Sequence, residues 1–422
     1  MNLNNIYRGV FGLILLVVLS CHAPQKTVEK GASEAPDQPI VLLISLDGYR
    51  WDYTRRFNPP NLTRFVETGV QARSMWSCFP SKTFPNHYSI ATGMYPENHN
   101  LVDNSFYDAE KNAVYKISNR EMVEDGTWYG GTPIWVQAAK AGLVTASYFF
   151  VGSEADIQGI RPTYYRRYDG SVPNTRRVKQ ILEWLALPET ERPRLITAYF
   201  SDMDDAGHRY GPDDDARLSE TLDKLDGVLG KLFEGIKATG LPVNVIIVSD
   251  HGMMGVPVSQ LIPVESVEDD DRYLSVSNGA LIHLYLREGV SEKAVFEDLK
   301  NRENHWTVYS TKQMPYYQKN PGNPRLGDLI IVPETGWYFS GARQIGLLKA
   351  GGRKVVGHHG FDPELPEMHA IFYANGPAFK KGLTIEPFRN IHVYPLICSI
   401  LGLPVPDEVD GDPKVLSGIL DK

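Results

Sequence analysis

In Val243-Asn244-Val245-Ile246-Ile247-Val248-Ser249-Asp250-His251-Gly252 an apolar, largely β-branched run gives way to a carboxylate, an imidazole and a glycine. A run with no alternating polar face suits a strand covered on both sides. The pattern recurs. Ile40–Leu46 ends in Asp47-Gly48, and Leu195–Phe200 ends in Ser201-Asp202-Met203-Asp204-Asp205-Ala206-Gly207-His208. Further strand-like runs cover 144–151, 281–286 and 370–374. Helical periodicity lies between them, as in 216–233, where Leu218, Leu222, Leu225 and Leu229 share a face. This alternation predicts an α/β fold: a mostly parallel central sheet with helices on both faces. Ligands of such sheets sit beyond the carboxyl ends of the strands, so the residues just after each run are the candidates.

One aspartate after a strand is ordinarily a helix cap or turn former, and one histidine is ordinarily structural. Here Asp47, Asp204 and Asp250 converge on one edge with His208 and His251, and the loop Gly357-His358-His359-Gly360 adds more imidazole. Three carboxylates so placed repel one another and are costly to desolvate without cations. Mixed carboxylate and imidazole donors suit zinc, with manganese or iron as alternatives. The donors outnumber what one tetrahedral ion takes, so two ions are implied. The loop Phe79-Pro80-Ser81-Lys82-Thr83-Phe84-Pro85-Asn86-His87 leads into a predicted helix with Pro85 in its first turn. Thr83 would lie at the positive end of that helix beside the metals, where coordination acidifies its hydroxyl. Three carboxylates and one alkoxide would balance two divalent cations. The plain alternative for Thr83 is an N-cap.

The chain has 422 residues, 42% hydrophobic and 22% charged, enough for a large core in one α/β domain or in two or three smaller ones. A net charge of -8 disfavours a stable nucleic-acid partner but permits a small phosphorylated substrate. Arg8 precedes an apolar run at 10–19, too short to span a bilayer and suited to a signal-peptide core. Val18-Leu19-Ser20-Cys21 resembles a bacterial lipobox. The expected organisation is therefore a signal peptide over 1–20, a lipid-bearing Cys21, a flexible tether over 21–39 and a single catalytic domain over 40–422. His22, rather than aspartate, after the cysteine sorts such a lipoprotein toward the outer membrane. An ordinary signal peptide is the alternative. Cys78 and Cys398 are read as small buried residues, not a bridge.

Taken in order, the motifs resemble the nucleotide pyrophosphatase/phosphodiesterase family of the alkaline phosphatase superfamily. They are Leu46-Asp47-Gly48, Lys82 through His87, Asn98-His99, Val102-Asp103-Asn104-Ser105-Phe106, Asp204 through His208 with Tyr210-Gly211-Pro212, Ser249-Asp250-His251-Gly252-Met253, and His359-Gly360. The resemblance implies an alkaline-phosphatase-like sheet and two zinc ions, one held by Asp204, His208 and His359. Asp47, Thr83, Asp250 and His251 would hold the other. It implies Thr83 as nucleophile and a phosphothreonine intermediate. Asn104 and the Phe84 N–H would bind a phosphoryl oxygen. Phe84, Tyr199 and Tyr165 would clamp a base, although the family's Trp-Pro-Gly-Ser wall is replaced here by Phe150-Val151-Gly152-Ser153. His358, Asp202, Asp205 and His87 fall outside the implied ligand set. The implied substrate is a nucleotide diester or pyrophosphate, cut to nucleoside 5′-monophosphate.

Other readings compete. Cys78-Phe79-Pro80-Ser81-Lys82 is close to the sulfatase modification signal, but lysine stands where arginine belongs. A phosphomonoesterase would need extra cations for a dianionic group, for which Arg161, Arg166 and Arg167 are the candidates. A ligand-binding surface lipoprotein would have no use for both the threonine and complete ligand sets.

Overall fold

The computed structural model describes residues 38–317 and 319–421. The apolar run, Cys21 and the tether as far as residue 37 lie outside the described residues. An eight-stranded sheet runs in the order Leu383–Ile385, Val70–Ala72, Phe372–Asn375, Val243–Val248, Ile40–Leu46, Leu195–Phe200, Thr145–Tyr148, Tyr164–Arg166. Only Phe372–Asn375 runs against the others. The mostly parallel α/β sheet is therefore present.

Alternation along the central strand explains the layering. Val41 and Leu43 point into one apolar cluster, with Ile246, Val248 and the helix Val393–Leu401. Ile40, Leu42, Ile44 and Leu46 point into the other, with the helices Asn174–Leu185 and Asp215–Thr239. Burying both sides of each strand is what removes any polar alternation from the sequence. The helix expected over 216–233 extends to Asp215–Thr239, capped by Asp214 at its start and by Gly240 in the left-handed region at its end.

Two expected strands differ. The run at 144–151 is a strand only over Thr145–Tyr148, because Phe149 turns out at φ 71. The run at 281–286 forms Ile282–Leu286, but not in the central sheet. It belongs to a four-stranded antiparallel sheet with Tyr273–Ser277, Leu329–Pro333 and Trp306–Ser310, built over its own apolar cluster. Both sheets belong to one compact unit, Asp37–Lys422. Cys78 and Cys398 are buried free thiols.

Candidate two-metal site and active cavity

Asp47 follows the central strand, Asp250 and His251 follow its neighbour on one side, and Asp204 lies in the helix that follows its neighbour on the other. Close approach of these strand ends depends on Gly48, at φ +63, where an added Cβ would fall 2.7 Å from Asp204 Cα. There the Asp204 N–H donates to the Asp47 carbonyl (3.0 Å) and the Gly48 N–H to Asp250 Oδ1 (3.2 Å). The His359 loop is brought in at Gly357, whose added Cβ would meet the Gly207 carbonyl oxygen at 2.1 Å.

The six expected protein ligands other than Thr83 form two groups, Asp204–His208–His359 and Asp47–Asp250–His251, each with ligand atoms within 4.8 Å of one another. The groups adjoin, since the His251 and His359 rings stack at 3.6 Å. Each histidine has Nδ1 on a backbone carbonyl at 2.8 Å: His208 on Gly357, His251 on Gly252, His359 on Ser81. Donation from Nδ1 fixes the tautomer that leaves the Nε2 lone pair free for a metal. Those Nε2 atoms face carboxylates: His251 lies 3.0 Å from Asp250 Oδ2 and His208 lies 3.4 Å from Asp204 Oδ1. Asp47 Oδ1, Asp204 Oδ1 and Asp250 Oδ2 are buried without a hydrogen-bond partner. Imidazole Nε2 atoms gathered against orphaned buried carboxylate oxygens fit bound cations. Burial, then the Asp250 and Asp204 charges, push the Asp47 carboxyl well above the usual range. Burial, then the His251 charge, hold His359 well below the usual imidazole range. Neutral imidazole is the form that ligates.

Thr83 begins the helix Thr83–Thr92 as its first residue, and Lys82 occupies the cap position. The N-cap alternative thus fails: the Thr83 hydroxyl instead lies 3.3 Å from His251 Nε2. The expected phosphoryl-oxygen donors are found together, but paired with each other. The Phe84 N–H donates to Asn104 Oδ1 at 2.9 Å, so joint use of both donors requires the Asn104 amide to turn away from Phe84.

A cavity of ≈ 270 Å³ opens beside Thr83, lined by Asp47, Asp204, Phe84, Phe149, Tyr168 and Tyr199 among others. Tyr199 has a second tie, because its hydroxyl donates to Asp47 Oδ2 at 2.5 Å. Tyr165 does not line this cavity; it sits on the edge strand Tyr164–Arg166. The wall expected of it is formed by Tyr168, 40% exposed, with its ring 6.1 Å from that of Tyr199. Sequence reasoning missed Tyr168. The available signal was a large aromatic among arginines directly before the Asp169-Gly170 turn, with no apolar neighbours to bury it. Glu154 accepts from the Tyr168 N–H at 3.0 Å and is itself paired with Arg120.

The remaining imidazoles and carboxylates have other partners. His358 stacks on Tyr338 at 3.7 Å, and burial pushes it down to about 3. His87 is buried against Ser45 Oγ (2.8 Å) and the Thr83 carbonyl (2.9 Å), and its Nδ1 also lies 3.3 Å from the ligand oxygen Asp250 Oδ2. Asn174 donates to both Asp202 oxygens, and Asp205 accepts from Ser201. Arg161, Arg166 and Arg167 are absent from the cavity lining and bond to the Glu154 carbonyl, Gln180 and Glu124 respectively. Cys78, central to the sulfatase reading, is buried against Asn390 at 3.2 Å, and burial pushes its thiol up to about 12.

Residues 41–362 match the family model for type I phosphodiesterase / nucleotide pyrophosphatase. The chain belongs to that family. Rat ectonucleotide pyrophosphatase/phosphodiesterase family member 1 is 35% identical over 386 residues, covering 88% of this chain and 42% of the relative. The chain spans less than half the length of several such curated relatives. Murine ectonucleotide pyrophosphatase/phosphodiesterase 5 superposes with a TM-score of 0.83 at 30% identity, covering 90% of this chain and 100% of that one. An inactive threonine-to-alanine variant of the murine protein, in complex with AMP, matches with the same score at 29% identity, over 91% of this chain and 100% of that one. The mixed, mostly parallel sheet is thus the fold of solved pyrophosphatase/phosphodiesterase family members, and both candidate metal groups lie within the matched residues.

Proposed function

We propose that this chain is a two-zinc phosphodiesterase and nucleotide pyrophosphatase, hydrolysing nucleotide diesters or pyrophosphates to nucleoside 5′-monophosphates through a phosphothreonine at Thr83. The observation that carries the reading is Thr83 Oγ1, 3.3 Å from His251 Nε2, between the two ligand groups and the aromatic-walled cavity. Family membership and the AMP complex of the inactive threonine-to-alanine relative support it. Zinc is favoured by paired imidazole and carboxylate donors on each group.

Divalent ions bound there would acidify the Thr83 hydroxyl and offset charge on the phosphoryl group. The chain's own residues orient the reaction. Thr83 presents its oxygen from the first turn of a helix, where the backbone dipole favours developing negative charge. Asn104 and the Phe84 N–H, once parted, would both donate to one phosphoryl oxygen. Tyr199 holds Asp47 in place through its hydroxyl. Phe84, Tyr168 and Tyr199 line the cavity and are the rings available to a base.

Stacking of a base on an aromatic side chain contributes ~1–3 kcal/mol, with little dependence on which base it is. Phe84→Ala or Tyr168→Ala should therefore lower kcat/KM for a dinucleoside ester by about tenfold or more, while a bis-aryl phosphate changes little. Equal losses on the two substrates would show a packing defect in place of a lost base contact.

A further inference from the structure

A circuit of hydrogen bonds leaves the chain at Lys82 and returns at Phe84, enclosing Thr83 between its ends. Lys82 Nζ donates to the Tyr338 hydroxyl at 3.2 Å, and that hydroxyl donates to the Asn278 carbonyl at 3.1 Å. The Asn278 side chain then clamps the backbone of Ser105 twice. Its Oδ1 accepts from the Ser105 N–H (3.0 Å), and its Nδ2 donates to the Ser105 carbonyl (2.8 Å). Asn104, the next residue back, accepts from the Phe84 N–H at 2.9 Å and closes the loop.

Tyr338 and Asn278 both lie outside the central sheet. Asn278 follows the strand Tyr273–Ser277 of the four-stranded antiparallel sheet, and Tyr338 begins the short strand Tyr338–Ser340. The same sheet grips the chain on both sides of Asn104 at further points. His283 pairs with Asp103 at 3.3 Å, and Tyr285 Oη accepts from the Tyr107 N–H at 3.0 Å. Asn278 and Tyr338 differ from those contacts in reaching both sides of the nucleophile position. Lys82 is held tightly at its own end: it is 4% exposed, and an added Cβ on Gly360 would fall 2.4 Å from its Cε.

We propose that Asn278 and Tyr338 are positioning residues, holding Asn104 and Thr83 at a fixed separation so that phosphoryl oxygen and nucleophile are met together. The inference rests on the roles given above to Thr83 and Asn104. Misplacing a reacting group by about 1 Å can cost on the order of 100-fold in rate, and Asn104 sits in a connecting segment whose register these side chains set.

The test is turnover of a bis-aryl phosphate, which avoids the base contacts, by wild type, Asn278→Ala, Tyr338→Phe, Asn104→Ala and the Asn278→Ala/Asn104→Ala double variant. Zinc content and melting temperature are measured on each. Asn278→Ala and Tyr338→Phe should each lower kcat about tenfold with KM within about twofold, and with zinc content unchanged. In the Asn104→Ala background, Asn278→Ala should cost less than about twofold more, because the residue it positions is gone. Tyr338→Phe keeps the ring stacked on His358, so it reads the same link should Asn278→Ala fail to fold. Wild-type kcat in both single variants, or the same fractional loss from Asn278→Ala with and without Asn104, overturns the proposal. So does wild-type turnover by Asn104→Ala. No turnover by the wild type at all would instead remove the diesterase reading on which the inference depends.

Discussion

Thr83→Ala should lower kcat on a phosphodiester by on the order of 1,000-fold or more, the scale of loss when an essential nucleophile is removed. The fold should survive. Thr83 is half-buried at the start of its helix, its side chain caps nothing, and among the described residues its one side-chain hydrogen bond is with His251 Nε2. Loss of that contact leaves a lone pair that a metal would satisfy in any case. The variant should keep its metal content and a wild-type melting temperature. Rapid-quench trapping should find phosphate on threonine in the wild type and none in the variant. Retention of more than about a tenth of wild-type kcat would mean that water attacks directly and that Thr83 only ligates.

Metal removal should have an effect of similar size on activity, together with a separate signature on stability. Asp47 Oδ1, Asp204 Oδ1 and Asp250 Oδ2 are crowded together in a buried place, so the metal-free protein has only neighbouring imidazoles to offset three carboxylates. Ions that bind the folded chain alone stabilise it by about 2.7 kcal/mol at 100 times their Kd. Chelation should therefore abolish turnover and lower the melting temperature by on the order of a few degrees, with zinc restoring both. His359→Ala should reduce elemental zinc from about two per chain toward one, since it takes a donor from only one of the two groups. A fully active preparation holding one ion or none would end the two-metal account.

How much of this was legible in the sequence depended on distance along the chain. Ile40–Leu46, Leu195–Phe200 and Val243–Val248 were readable because double-sided burial writes itself as unbroken apolar runs, and their ends located Asp47, Asp204 and Asp250. The run at 281–286 was equally apolar, yet its strand pairs with partners near residues 275 and 330 in another sheet. Periodicity reports that a strand is buried, not which sheet it joins. Tyr165 and Tyr168 are three residues apart in a polar stretch, and only the turn geometry between them selects which ring faces the cavity. The bond from the Phe84 N–H to Asn104, and the roles of Asn278 and Tyr338, had no local signal. Each depends on contacts between segments that the sequence separates by 20 to 256 residues.

The most direct test of the central claim is a comparison of kcat/KM for an aryl phosphate monoester and the matching diester on one zinc-loaded preparation. Arg161, Arg166 and Arg167 are engaged elsewhere, Arg120 is paired with Glu154, and a neutral Asn104 stands where a dianionic group would call for a cation. The account predicts that the diester is preferred by about tenfold or more. A preference for the monoester on that same preparation would contradict it.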